Sequence, residues 1–408
     1  SMISVDQARE KIANQIELLA VESVGLSSAL GRVLAADIVS DCDSPPHDKS
    51  LMDGYAIVAS GYRRGERLRV AEQVVAGQVP SQSIDRSSAT RIMTGAPIPA
   101  GATCVVMVEL SQVETIDGEE FVTLEADRVE EGQNILPRGC VMTAGETVIK
   151  RGSRISPAVV GLLAEVGYGQ VEVFRQPTVA ILSTGNELVD HWQQPGPGCI
   201  RNSNGPMIAA SVRRAGGEPI ELGISADDEA SLRAAVKRGL ACDILIMSGG
   251  VSAGVMDLTP QVLADCGVEE IFHKVNLKPG KPLWVGRIGE RESATNEATL
   301  VFGLPGNPVS GFVCFELFVR FAIHAMAGQG SEYWQPTTAK LAKSFQQKTR
   351  RDTYFPARFV DGERTIVEPL GWKGSADLRT IAQADGLVFF PGEPREYELD
   401  TDVLVYPL

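Results

Sequence analysis

Residues 243–257 of this 408-residue chain read DILIMSGGVSAGVMD. The first four residues form a short apolar, β-branched run that predicts a buried strand, and the small residues from Ser248 onward predict a turn before a helix. A strand that ends in this way exposes backbone N–H groups at its carboxyl end, where open α/β sheets bind ligands and anions. An ordinary strand-to-helix turn is the alternative, and the other loops of the chain decide between the two.

From residue 177 onward, short apolar runs alternate with amphipathic segments. Predicted strands cover 178–183, 219–224, 243–247 and 299–302, and predicted helices cover 205–215, 228–240 and 309–327. A further β excursion is predicted over 268–285. Alternation of this kind predicts a doubly wound, parallel α/β sheet with right-handed crossovers.

The remainder of the chain is richer in strands than in helices. Ser4 is a plausible cap for a first helix with apolar residues at Ile12, Ile16 and Leu19. Because this helix has no other obvious partner, we expect 1–40 and 140–176 to pack together as an α+β domain. The predicted architecture is multi-domain α/β plus β: this domain, an inserted β-rich domain over 41–139, the α/β domain over 177–328 and a C-terminal β barrel over 329–408.

Composition excludes several classes of function. The net charge of -14 argues against nucleic acid or an anionic membrane as a partner, so a bound anion needs locally concentrated lysines and arginines. The seven scattered cysteines form no CxxC pair and are typical of a reducing compartment. The segment 309–327 is the longest apolar run but carries Glu316, Arg320 and His324, and we interpret His324 as a core residue. We therefore expect a cytoplasmic protein without a membrane span.

Three predicted strands end in loops of glycine, serine and asparagine. These loops begin at Ser183, Ser248 and Gly303. In a parallel sheet they share one edge and can converge on a single ligand. Their coincidence is much harder to explain as ordinary turns than any one loop alone.

Acidic residues accompany these loops. Glu187 and Asp257 lie within them, whereas Asp227 and Asp228 open a predicted helix, where capping is a strong alternative explanation. Carboxylates beside a phosphate-binding loop indicate a hard cation such as Mg²⁺.

The segment KVNLKPGKP over 274–282 places three lysines, Lys274, Lys278 and Lys281, in a strand and turn. In so acidic a chain this is a local cationic site suited to oxyanions, although a charged surface turn is the alternative. The chain lacks both a Walker A motif and GxGxxG, which argues against kinase-type and dinucleotide sites.

Six motifs in order resemble one known family. They are SLMDGYA (50–56), IMTGA (92–96), LSTGNEL (182–188), SGGVS (248–252), KPGKP (278–282) and GLPGNPVS (303–310). Together they look like the molybdopterin molybdenumtransferases, or molybdenum insertases, which include the E domain of gephyrin. One departure is the turn at 138–141, which lacks the acidic residue expected from the family.

The resemblance implies a transferase of molybdenum cofactor biosynthesis. Its members insert molybdate into the dithiolene of adenylylated molybdopterin, require Mg²⁺ and release AMP. It also implies a homodimer of four-domain subunits, with molybdopterin adenylyltransferase as the upstream partner and molybdoenzymes or their chaperones downstream. Two alternatives stay open: a molybdopterin adenylyltransferase, which would not need the inserted and C-terminal domains, and a gephyrin-like scaffold protein.

The resemblance also assigns roles by matching position. The pterin and its phosphate are expected on Thr184, Gly185, Asn186, Ser248, Gly249, Gly250, Ser252, Pro305, Gly306 and Asn307. Molybdate is expected on Lys278, Lys281, Ser310, Arg351 and Ser375, with Arg350 as the alternative to its neighbour. Mg²⁺ is expected on Glu187, Asp227, or Asp228 in its place, and Asp257. Catalytic roles are expected for Asp53, Glu187, Asp227, Asp228, Asp257, Lys274 and Lys278, with Asp53 acting from a partner subunit.

Overall fold

A six-stranded sheet forms the centre of the α/β part of the chain in the computed structural model, which describes residues 2–249, 258–289, 298–330 and 334–408. In spatial order its strands are Glu218–Ser225, Thr178–Thr184, Ile244–Ser248, Thr299–Leu304, Trp284–Ile288 and Glu269–His273. The first four are parallel, as predicted, and the last two, from the β excursion, pair antiparallel at one edge. The sheet is therefore mixed and not wholly parallel.

Helices cover both faces of this sheet, as expected for a doubly wound fold. Alternate strand residues, such as Ile246 on one face and Leu245 on the other, enter two separate apolar cores. Asn204–Ala215 and Pro308–Met326 cover the first face, and Glu229–Gly239 and Thr259–Asp265 cover the second.

The helix Pro308–Met326 is the core helix of this region. It is long and apolar enough to cross a membrane by length and composition, but 78% of its most apolar window is buried within the protein. Glu316 in its middle is fully buried and paired with Arg214 and Arg320. Burial lowers the pKa of His324 to about 3, so this histidine is a neutral core residue, as predicted.

The first helix, Val5–Ala13, begins at Ser4 with the reciprocal hydrogen bonds of a capping box to Gln7. It ends before Ile16, and its apolar face packs into the same core as the helix Pro308–Met326. The segment 140–176, which was expected to pack on this helix, is contacted instead by the strand Val21–Gly25, which pairs antiparallel with Gln170–Phe174.

The chain divides into two compact units. The first comprises Ser1–Ala35, Gly152–Ser156 and Gln170–Leu408, and the second comprises Ala36–Arg151 and Pro157–Gly169. The second unit contains the predicted β-rich insertion as a six-stranded sheet with the helix Pro157–Glu165. In spatial order the strands of that sheet are Cys104–Met107, Gly54–Ile57, Ser88–Ile92, Arg67–Val74, Glu119–Leu124 and Ser111–Ile116. The proposed boundaries of four domains stay a prediction.

The last part of the first unit is a closed five-stranded barrel. Its strands, in order around the ring, are Thr337–Leu341, Ile366–Pro369, Asp352–Phe359, Gly386–Phe390 and Asp402–Pro407. Leu277–Lys278 pairs in parallel with the start of the third of these strands. This pairing attaches the lysine segment of the α/β part to the barrel.

Candidate active site

The loops after three neighbouring parallel strands contact one another at one edge of the sheet. Gly249 has a φ of +90°, and a Cβ on it would lie 2.6 Å from the carbonyl oxygen of Thr184. A Cβ on Gly306 would lie 3.5 Å from the Cα atom of Gly249. Glycine is thus required at Gly249 both by its backbone conformation and by the close approach of its neighbour. These contacts confirm the prediction that the three loops lie together at one edge of the sheet.

Asn204, at the start of the helix Asn204–Ala215, joins two of these loops and was missed from the sequence. Its amide nitrogen donates to the hydroxyl oxygen of Ser248 at 2.8 Å and to the carbonyl oxygen of Gly306 at 2.7 Å. The Oδ1 atom of Asn204 and the hydroxyl of Thr184 are buried without a hydrogen-bond partner in the part of the chain that the structure describes. Buried polar atoms without a partner are costly, and here they lie where a ligand is expected.

Of the carboxylates expected to hold Mg²⁺, Asp227 and Glu187 lie within the described residues and Asp257 does not. Asp227 and Asn186 exchange two hydrogen bonds, each between a backbone N–H of one and a side-chain oxygen of the other, at 3.1 and 3.2 Å. The carboxylate of Glu187 folds over Gly185, where it would lie 2.6 Å from an added Cβ. Asp227 and Glu187 therefore belong to one pair of contacting loops.

Asp228 has the capping role that the sequence left open. It precedes the helix Glu229–Gly239, and its carboxylate accepts the backbone N–H of Ser231 at 2.9 Å. This hydrogen bond lowers the pKa of Asp228. Three other predicted site residues, Gly250, Ser252 and Asp257, lie outside the described residues. Within the described ranges, no group of three His, Cys, Asp or Glu residues could hold a metal ion.

A cavity of about 410 Å³ lies between the α/β part and the barrel, inside the first unit. The five residues predicted to bind molybdate all line it: Lys278, Lys281, Ser310, Arg351 and Ser375. Arg350 is absent from the described lining, so the geometry favours the second of the two adjacent arginines. None of the described lining residues is Asp or Glu. In a chain with a net charge of -14, such a lining is a local concentration of positive charge.

One side-chain and one backbone hydrogen bond join the two sides of this cavity. The guanidinium of Arg351 donates to the carbonyl oxygen of Leu277 at 3.4 Å, and the N–H of Val309 donates to the carbonyl oxygen of Ser375 at 3.0 Å. Gly280 lies between the two lysines with a φ of +118°, and a Cβ there would lie 2.6 Å from the sulfur of Cys314. The turn KPGKP is therefore fixed against the core helix and is not a loose surface turn.

The electrostatics of the cavity favour a bound anion. Burial, together with the positive charges of Arg351 and Lys348, lowers the pKa of Lys278. Ser310 lies in the first turn of the helix Pro308–Met326, where the helix dipole also favours negative charge. Lys274, predicted as a further cation of the site, is not among the described lining residues; its backbone N–H donates to Leu283.

Asp53, the predicted catalytic residue outside the α/β part, lies in the second unit. One oxygen of its carboxylate accepts both the backbone N–H and the hydroxyl of Thr94, each at 2.7 Å. These two hydrogen bonds lower the pKa of Asp53, and the residue is exposed. The motifs SLMDGYA and IMTGA are thus joined by a contact between their polar residues.

Family models match three consecutive regions of the chain. Residues 3–167 match the MoeA N-terminal region (domains I and II), residues 180–325 match a probable molybdopterin binding domain, and residues 338–408 match the MoeA C-terminal region (domain IV).

Whole-chain relatives lead to the same family. The chain is 34% identical to the molybdopterin molybdenumtransferase of Bacillus subtilis (strain 168), covering 99% of this chain and 93% of that protein. It is 36% identical to the protein of the same name from Staphylococcus aureus (strain MRSA252), covering 97% and 93%. A crystal structure of a molybdopterin biosynthesis MoeA protein from Pyrococcus horikoshii OT3 superposes with a TM-score of 0.82 at 28% identity, covering 100% of both chains. The chain belongs to the molybdopterin molybdenumtransferase family.

Proposed function

We propose that this protein inserts molybdate into the dithiolene of adenylylated molybdopterin and releases AMP, as a step of molybdenum cofactor biosynthesis. The observation that carries this proposal is the cavity lined by Lys278, Lys281 and Arg351 without a described carboxylate. A tetrahedral oxyanion is the substrate that such a surface suits.

Each group on the cavity has a part in holding molybdate. The two lysines supply point charges, and Arg351 supplies a planar set of donors whose orientation is fixed by its bond to Leu277. The hydroxyls of Ser310 and Ser375 add neutral donors at the helix start. Because Arg351 and Ser375 come from the C-terminal part of the chain, this geometry favours the insertase over an adenylyltransferase that would not need that part.

The three contacting loops suit the organic substrate. Gly249 and Gly306 let the three loops pack closely at the carboxyl ends of the strands, which is where an open α/β sheet binds a phosphate-bearing ligand. The unpartnered oxygens of Asn204 and Thr184 are available to polar groups of a pterin or phosphate. Pro305 and Asn307 line the oxyanion cavity and belong to the third of these loops, so both substrates would meet on one segment.

The residues present fit a magnesium ion. Mg²⁺ in phosphate chemistry is held by one or two carboxylates and by the substrate's own phosphates, and Glu187 and Asp227 supply two carboxylates on contacting loops. These two residues, with Asp257, would hold the ion. When bound, it would offset the charge that builds on the phosphate as AMP leaves.

We further propose that the protein is a cytoplasmic homodimer and that Asp53 of one subunit serves the site of the other. Support for the dimer comes from the family resemblance alone. In the same proposal a molybdopterin adenylyltransferase supplies the substrate, and molybdoenzymes or their chaperones receive the product.

Titration calorimetry with molybdate tests the central proposal. Lys278→Ala combined with Lys281→Ala should weaken binding at least about tenfold, because two charge-assisted contacts are lost. The matched control is Lys343→Ala, which removes a lysine paired with Glu368 on the barrel and should leave the affinity unchanged. Undiminished affinity in the double variant would contradict the assignment of this cavity to molybdate.

A further inference from the structure

We propose that Phe355 and Trp372 determine which oxyanion the cavity accepts, favouring molybdate over smaller and more strongly hydrated dianions such as sulfate. This inference rests on the proposed function, because it concerns the same cavity. The two aromatic side chains discriminate between anions, whereas the cations of the same cavity attract all of them.

The two aromatic residues form a pair on the cavity wall. Their ring centroids lie 5.1 Å apart with an interplanar angle of 86°, an edge-to-face arrangement that holds both rings in place. Phe355 belongs to a barrel strand, and the backbone N–H of Trp372 donates to Leu370 at 2.8 Å. Both side chains are partly buried and therefore still present surface to the cavity.

The surface that Trp372 presents is carbon. Its only polar side-chain atom, Nε1, is buried and has no hydrogen-bond partner within the described residues. The partly exposed portion of the indole is therefore its apolar face and edge. Phe355 has no polar side-chain atom, so this part of the wall offers an anion neither a donor nor an acceptor.

Such a wall discriminates by hydration. Sulfate and molybdate carry the same charge, but sulfate is smaller, so its charge density is higher and it holds water more strongly. An anion loses part of its hydration shell against an apolar surface without receiving hydrogen bonds in return. This loss costs the more strongly hydrated ion more, and the site therefore rejects sulfate by desolvation while its lysines attract both ions.

The orientation of the Trp372 ring decides what this part of the wall offers to an anion, because its Nε1 atom is buried. A tryptophan turned the other way would place a donor on the cavity and would assist any tetrahedral anion. The observed orientation keeps the wall free of donors.

Calorimetric titration of the full chain with sodium molybdate and, separately, sodium sulfate in one buffer tests the inference. The quantity measured is the ratio of the sulfate Kd to the molybdate Kd. We expect Phe355→Gln combined with Trp372→Gln to lower this ratio about tenfold or more, since amide groups then replace lost water. Lys281→Ala should weaken both anions while leaving the ratio close to that of the unaltered protein.

Three controls separate selectivity from damage to the fold. Phe355→Leu combined with Trp372→Leu keeps the wall apolar and should retain the ratio. Trp192→Gln changes an exposed tryptophan outside the described cavity lining and should also retain it. Thermal unfolding shows whether the double glutamine variant is folded. If it is not, each single glutamine variant is titrated instead, and the expected change in the ratio of Kd values is about threefold.

The outcomes distinguish the two proposals. Molybdate binding with an unchanged ratio in the glutamine variants would overturn the selecting wall and leave the proposed function intact. Absence of molybdate binding to the unaltered protein would overturn both. A ratio lowered equally by the leucine variants would show that aromatic shape, and not polarity, sets selectivity, and would also overturn the inference.

Discussion

The amide nitrogen of Asn204 lies 2.8 Å from the hydroxyl oxygen of Ser248 and donates a hydrogen bond to it. The same nitrogen lies 2.7 Å from the carbonyl oxygen of Gly306. One side chain at a helix start thereby ties together the ends of two neighbouring strands. Since both ends belong to the candidate substrate site, Asn204 fixes the spacing on which a phosphate or pterin would depend.

Asn204→Ala should lower kcat/KM for molybdate-dependent AMP release about 10-fold to 100-fold, because both tethering bonds are lost. The measurement is steady-state kinetics with adenylylated molybdopterin, together with thermal unfolding. Asn134→Ala, which removes an amide bonded to the carbonyl of Val105 in the other unit, is the matched control and should retain activity. Equal loss of activity in both variants would show that Asn204 acts only through stability.

Molybdate affinity should fall as pH rises in the alkaline range. The pKa of Lys278 is lowered by burial and by neighbouring positive charge, so this lysine becomes neutral at a lower pH than an exposed lysine does. Its neutral form cannot offer charge to the anion, and the Kd should therefore increase as pH rises through that lowered pKa. Calorimetry from neutral pH to pH ~10 measures this change.

Lys278→Arg provides the control for that titration. Arginine stays charged across the whole range, so the variant should lose the pH dependence that Lys278 causes even if its affinity is altered. A steep alkaline loss that persists in the arginine variant would assign the titration to another group.

Most of the fold follows from periodicity in the sequence. Strand–helix alternation after residue 177 locates the four parallel strands, because burial on both faces demands continuous apolar runs such as 244–247. The two antiparallel strands at one side of the sheet, Trp284–Ile288 and Glu269–His273, are less predictable, because the residues of a strand do not reveal the direction in which it pairs. The first helix was predicted too long because Ile16 and Leu19 continue its apolar spacing beyond its end at Ala13.

The candidate site is predictable where a residue lies in a motif and less so where tertiary contact creates its role. Lys278 and Lys281 stand out as cations in an acidic chain, and the structure brings them to one cavity with Arg351. Phe355 and Trp372 reach that cavity from separate barrel segments, and no local pattern distinguishes them from core aromatics. Asn204 had a weak signal, an asparagine before a glycine at a helix start, which is equally typical of a cap.

Breaking the buried ion pair between Arg175 and Asp243 should destabilise the first unit. The guanidinium donates to both carboxylate oxygens at 2.8 and 3.0 Å, and Asp243 is 2% exposed. Asp243→Asn should lower the free energy of unfolding by about 3 kcal/mol, because it removes a buried negative charge that offsets the positive charge of Arg175. Urea denaturation followed by circular dichroism measures this loss.

The pH dependence of that stability has a definite sign. Burial alone would raise the pKa of Asp243, but hydrogen bonds from Arg175 and Thr178 outweigh it and lower the pKa. The contribution is therefore present above the pKa of the unfolded chain and is lost as pH falls through the folded value. Asp265→Asn, which removes a carboxylate that is 36% exposed and paired with Arg233, is the control and should change stability little. Equal effects of the two variants would contradict this role of burial.

Mixed dimers test whether Asp53 acts on the partner subunit. Asp53→Ala should abolish molybdate-dependent AMP release while leaving the fold intact, since its carboxylate is exposed and bonded only to Thr94 among described residues. Lys278→Ala combined with Lys281→Ala should separately remove most of the activity at a molybdate concentration below the Kd of the unaltered protein, because its binding is at least about tenfold weaker. If Asp53 serves the opposite subunit, a dimer with one chain of each variant has one complete site, and co-expression should restore up to half of the activity per mixed dimer. If both residues serve the same subunit, neither site is complete and the mixed dimer stays inactive. Light scattering that finds only monomers at micromolar concentration would refute the shared site directly.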